Sequence, residues 1–184
     1  MAALVPRVRE GQFLGRGASK DVVATTRNGA LVAVMTSSRH DLAREAELMK
    51  RLSRSPHPHL LSLLDVEYDA SCRVALVAPI AVFGSMHDLA DHLEFENMAL
   101  TLADTSVATL QVADALLHLS KLGVEHGDVS ARNVLVRDYS PGAATGMRVC
   151  LADFGEARVT ESGRGSPVSV MSLARELHAL VPAN

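Results

Sequence analysis

Two short stretches most constrain this chain. His126-Gly127-Asp128-Val129-Ser130-Ala131-Arg132-Asn133 sets an acid and an amide in one loop, and Val134-Leu135-Val136 follows at once as an apolar strand. Further on, Met147-Arg148-Val149-Cys150-Leu151 is a second apolar run that ends in Ala152-Asp153-Phe154-Gly155. The two strands flank a Ser140-Pro141-Gly142 turn in a small-residue loop, so Asp128, Asn133 and Asp153 fall at the mouths of neighbouring strands. Phosphoryl transfer needs such a set. One carboxylate orients the nucleophile's proton, while an amide and a second carboxylate hold Mg²⁺ on nucleotide phosphates. The plainer alternatives are a surface cap for Asp153 and a packing role for His126 against Phe154.

Composition narrows the class. A chain of 184 residues, 48% hydrophobic, can bury a sizeable core. No apolar run reaches the ~18 residues of a membrane span, and the stretch from Met1 to Arg9 lacks the apolar centre of a secretory signal. The net charge of −3 argues against a nucleic-acid footprint. Cys72 and Cys150 lie in apolar runs and read as buried free thiols of a reducing compartment, hence a cytoplasmic protein. With 3% aromatics and no Trp, the core must come from Leu, Val, Ala and Met.

The first half of the chain reads as strands around one helix. Residues 10–14 alternate and meet Gly15-Arg16-Gly17-Ala18-Ser19-Lys20. Asp21–Thr26 and Ala30–Met35 are strands about an Asn28-Gly29 hairpin turn. Asp41–Leu52 is expected to be a helix capped by Asp41, with Leu42, Glu45, Met49 and Leu52 on one stripe and Glu47 pairing with Arg51. A carboxylate on an apolar stripe needs a partner. Pro56-His57-Pro58-His59 stops the helix, and Leu60–Val66 and Cys72–Ala78 complete five strands. His57 and His59 read as loop residues. Pro79–Gly84 is a connector. Ser85–Leu93 reads as a short helix capped by Ser85. Asp104–Leu122 is the longest helix, with Val107, Leu110, Leu117 and Leu119 on its apolar face and Gly123 as its stop. Ser169–Leu180 is a final helix.

The loop at 126–133 and the Asp153-Phe154-Gly155 segment resemble the catalytic loop and the Asp-Phe-Gly segment of protein kinases. The resemblance runs from about Glu10 to Leu180. It implies an α+β, protein-kinase-like fold: a five-stranded antiparallel N-lobe with one helix (8–78), a hinge (79–84), and a truncated, mainly helical C-lobe (85–184). It also implies ATP and Mg²⁺ as cofactors and a protein as substrate. Asp128 would orient the acceptor hydroxyl, and Asn133 and Asp153 would hold metal. Gly15, Gly17, Val22, Ala33, Glu45 and Leu135 would line the nucleotide.

This sequence departs from the family pattern in several places. Met35 stands where Val-Ala-x-Lys places the phosphate-binding lysine, and methionine donates nothing to a phosphate. Gly15-Arg16-Gly17-Ala18-Ser19-Lys20 is similar to the loop of the with-no-lysine kinases, so Lys20, paired with Glu45, would supply the missing ammonium; the alternative is a solvated loop lysine. Gly127 replaces the usual arginine of the catalytic loop, which implies no switching by a phosphorylated activation loop. Ser130-Ala131-Arg132-Asn133 looks like the tyrosine-kinase loop. The stop at Asn184 leaves out the end of the C-lobe. Three functions follow as alternatives: an ATP-dependent protein kinase acting on Ser, Thr or Tyr; a pseudokinase or nucleotide-binding scaffold; and a small-molecule phosphotransferase of the aminoglycoside-kinase type, whose motif His126-Gly127-Asp128 with Asn133 also resembles.

Overall fold

A computed structural model describes residues 8–16, 20–37, 42–68, 73–142, 146–160 and 167–182. Its described residues form two compact units. The first comprises those up to Pro56 together with Leu61–Val82, and the second comprises His57–Leu60 together with the residues from Phe83 onward.

In the first unit, β1 (Phe13–Arg16), β2 (Asp21–Arg27), β3 (Ala30–Thr36), β4 (Asp65–Tyr68) and β5 (Val74–Pro79) form one antiparallel sheet in the order β1-β2-β3-β5-β4. Asn28 and Gly29, at φ 51° and 79°, supply the left-handed pair that a tight β2–β3 turn demands. Pleating then sorts the side chains. Val22 faces Met35, Ala24 faces Ala33, Met35 faces Leu76 and Ala33 faces Ala78, so these six share one side of the sheet. Helix α1 (Ala43–Leu52) buries Glu45, Met49 and Leu52, which with the buried Leu42 just before it are the expected stripe, and Ala46 besides.

Several local expectations shift. The helix begins after Leu42 with no side-chain cap, and Asp41 lies outside the described residues. Glu47 pairs with Lys50 at 2.8 Å, one position nearer than Arg51. Residues 61–64 are not strand: β4 starts at Asp65, and Leu60 makes an isolated parallel bridge to Leu151. Cys72 lies outside the described residues.

In the second unit, α2 (Met86–Phe95) and α3 (Leu102–Lys121) each start with a reciprocal capping box, Ser85 with Asp88 and Thr101 with Asp104. The strands are β6 (Val124–Glu125), β7 (Val134–Tyr139), β8 (Met147–Leu151) and β9 (Arg158–Val159). Pairs β7–β8 and β6–β9 are antiparallel, and α4 (Pro167–Ala179) follows. Helix α3 corrects its expected face. Leu110 and Leu117 are 70% and 56% exposed, while Thr105, Ala108, Val112, Ala115 and Leu119 are buried. This inward face packs on both β8 and α4, and Leu119 is the one expected leucine that joins it. Gln111 fastens this packing: its Nε2 donates to Met147 O at 2.9 Å, and its Oε1 accepts from Val149 N at 2.8 Å. Cys150 is a buried free thiol, pushed up by burial to about 11.

Candidate active site

The first unit supplies a buried ion pair. Lys20 stands one residue before β2, in phase with Val22 and therefore on the side of the sheet that carries Met35. Its Nζ donates to Glu45 Oε1 at 2.6 Å, and the two side chains are only 8% and 5% exposed. Met35 is buried among Val22 and Leu76, so β3 offers apolar surface where the ammonium comes from the start of β2. Val22 is half-buried and Ala33 buried on that same side. Gly15 sits at the β1 bulge opposite Val22, and a Cβ there would meet nothing within 4 Å. Gly17 lies outside the described residues.

The second unit holds the acids. The β7–β8 register pairs Val134 with Leu151, and Ala152 N donates to Asn133 O at 2.8 Å, so Asn133 and the residue before Asp153 are direct backbone neighbours. The Asn133 amide has a fixed sense. Its Nδ2 donates to Asp128 O at 2.9 Å and to Asp128 Oδ2 at 2.8 Å. Both partners are acceptors, so the NH₂ group must face them and Oδ1 is turned away as the remaining acceptor. Asp128 is exposed and Asp153 half-buried. Asp153 sits at φ 65°, in the left-handed region that Asp tolerates better than most, and its Oδ1 accepts from Gly155 N at 3.2 Å. Strain of this sort, of order 1–3 kcal/mol, collects at sites where a side chain must be aimed.

Behind the loop, His126 is buried. Its ring lies 5.2 Å from that of Phe154, Nε2 is 3.0 Å from Ala152 O, and Nδ1 accepts weakly from Asp128 N at 3.4 Å. His126 thus ties the Asp128 loop to the Asp153 segment, as its expected packing role requires. Leu135 is half-buried beside Ser85, and Val136 N donates to Gly84 O at 2.8 Å.

Gly127 has a positional reason that its sequence context did not reveal. Its φ is 85°, and a Cβ there would come within 2.4 Å of Glu156 O. Any side chain, arginine included, forces the segment after Asp153-Phe154-Gly155 to move. Gly127→Ala is therefore expected to cost about 2 kcal/mol or more, seen as a fall of several degrees in the melting midpoint; an unchanged midpoint would show that the segment yields freely.

The donors present fit a magnesium–nucleotide complex. An amide oxygen and a carboxylate are hard ligands, and Mg²⁺ takes few protein oxygens while keeping water and phosphate. Among the described residues no group of three or more His, Cys, Asp or Glu is placed to hold a metal.

Comparison with known proteins agrees. The family described as protein tyrosine and serine/threonine kinase matches residues 8–175. The tyrosine-protein kinase SRK3 of Spongilla lacustris is 30% identical over 166 residues, covering 84% of this chain and 44% of its own length. The serine/threonine-protein kinase PkaB of Streptomyces coelicolor is 32% identical over 161 residues, 83% of this chain and 37% of its own. The transforming tyrosine kinase ros of UR2 avian sarcoma virus is 30% identical over 154 residues, 78% and 34% respectively. The chain thus spans less than half the length of these relatives. No helix among the described residues is long and apolar enough to cross a membrane. With its α+β architecture and five-stranded antiparallel sheet, the chain belongs to the protein tyrosine and serine/threonine kinase family.

Proposed function

We propose that the chain is an ATP-dependent protein kinase that transfers the γ-phosphoryl group to a protein Ser, Thr or Tyr hydroxyl. The observation that carries this reading is the Asp128–Asn133 pair beside Asp153: the amide is locked to the base by both its protons and keeps its oxygen for a cation. Asp128 accepts the hydroxyl proton as the oxygen attacks the γ-phosphorus and the bond from that phosphorus to the ADP oxygen breaks, ADP leaving. Asn133 Oδ1 and the Asp153 carboxylate would hold Mg²⁺, which when bound would supply charge neutralisation for the phosphates. Lys20, oriented by Glu45, donates to the phosphates that Met35 does not reach. Gly15, Gly17, Val22, Ala33 and Leu135 bound the nucleotide. Positioning and charge stabilisation are the chain's contribution.

Matches to both tyrosine and serine/threonine kinases leave the acceptor class to experiment. Incubation with γ-labelled ATP, Mg²⁺ and generic proteins rich in Ser/Thr or Tyr is expected to label protein and to stop on chelation of Mg²⁺. Label on aminoglycosides or choline alone would replace this reading with the small-molecule one. ATP binding without any transfer would replace it with a scaffold.

A further inference from the structure

Residues His57–Leu60 follow α1 and precede β4, yet they group with the second unit. What holds them there is a cluster of imidazoles. Leu151 N donates to His59 O at 2.9 Å, Leu60 bridges to Leu151, and His59 Nδ1 is 3.0 Å from Val149 O. The segment itself is folded by a turn in which His59 N donates to His57 Nδ1 at 3.2 Å and Leu60 N donates to His57 O at 3.1 Å. The His57 ring stacks on His118 of α3 at 4.8 Å and meets His59 edge-on at 5.7 Å, and its Nε2 lies 3.2 Å from Asp114 Oδ2.

These partners fix the state of His57. An Nδ1 that accepts a backbone N–H carries no proton, so the neutral ring bears its hydrogen on Nε2, facing Asp114. A second proton would have to go on Nδ1, pointing at the His59 N–H. It would turn an acceptor into a donor and put a charge between two other imidazoles. The charged and titratable groups that reach His57 are Asp114 and His118 from α3 and His59 from its own segment; β8 presents the Val149 carbonyl to His59. Asp114 favours the cation but is 61% exposed, so solvent screens it.

We infer that the His57–His59–His118 cluster is a proton-operated latch: uptake of one proton by His57 opens the His57–His59 turn and releases residues 57–60 from β8, the strand that leads into Asp153. Burial first, with the neighbouring His118 and His59 imidazoles adding to it, sets the His57 ring below its ordinary 6.5 despite Asp114. The sign follows. The latched state has its full stability above about pH 6.5 and loses it as pH falls from there toward the ring's lower folded value. The inference concerns the fold of the second unit and does not depend on transfer activity.

Amide hydrogen exchange of the full chain between pH 7.5 and 5.5, corrected for intrinsic rates, tests it. The opening constant at Leu151 and His59 is expected to rise by up to about tenfold per pH unit below 6.5, the limit for one linked proton, while amides in the middle of α3 stay protected. His57→Asn keeps an acceptor at the Nδ1 position and takes no charge, so its exchange should be flat with pH. His118→Phe keeps the stack and removes a neighbouring imidazole that helps to hold the His57 ring down, so the rise should shrink. Flat exchange in the wild type, an equal rise in His57→Asn, or an undiminished rise in His118→Phe would each overturn the latch.

Discussion

Lys20→Met is expected to abolish most phosphoryl transfer and to lower stability together. The stability loss comes from Glu45. With the ammonium gone, a carboxylate on α1 that is only 5% exposed loses its 2.6 Å ion-pair partner, and breaking a buried pair in this way costs about 3–5 kcal/mol. For a chain of this size that corresponds to a fall of roughly 10 °C in the melting midpoint. The activity loss comes from the phosphates: removing one preorganised donor at a site of developing charge costs about 10²–10³ in kcat. The two effects separate in Lys20→Met/Glu45→Leu. Replacing both partners by apolar groups removes the stranded charge, so stability should return to near wild type while turnover stays low. If the double variant regained turnover, Lys20 would be a structural residue only.

Asp128→Ala is expected to leave the fold intact and cut turnover by about 10²–10⁴, the usual contribution of a positioned proton acceptor. Asp128 is exposed and its carboxylate meets the Asn133 amide, so truncation strands no buried charge and the melting midpoint should hold within about a degree. The Asn133 amide does lose one of its two acceptors and gains rotational freedom, so Mg²⁺-dependent nucleotide affinity should weaken several-fold as well. A variant that kept wild-type turnover would show that Asp128 handles no proton.

The legible parts of the sequence were those where local chemistry decides. Asn28-Gly29 names its turn by the backbone angles it tolerates, Ser85 names its cap, and the Glu45 stripe asks for a cation. The pairing of Lys20 with Glu45 was readable because a buried carboxylate and a missing β3 lysine define each other's solution. What sequence did not reveal was set by non-local packing. Leu110 and Leu117 look like core by composition, but the face that α3 turns to β8 and α4 is the one carrying Ala108, Val112, Ala115 and Leu119, so these two leucines lie outside. Leu60–Val66 reads as one strand by hydropathy, yet only Asp65 and Val66 join β4, and Leu60 bridges to Leu151 far along the chain. Strands β6 and β9, two residues each, carry no periodic signal at all. Gly127 looked like a lost arginine; its reason is the carbonyl of Glu156. His57 and His59 read singly as loop residues and His118 carries no signal of its own, because only the fold brings their rings together.

The most direct test of the lysine assignment is MgATP turnover by wild type, Lys20→Met and Lys20→Met/Met35→Lys, measured side by side. Met35 shares a sheet side with Val22, in phase with Lys20, so a lysine there returns the ammonium to the side that Lys20 serves. Loss of transfer in the single variant and partial recovery in the double is the expected pattern. Wild-type turnover in Lys20→Met would contradict it.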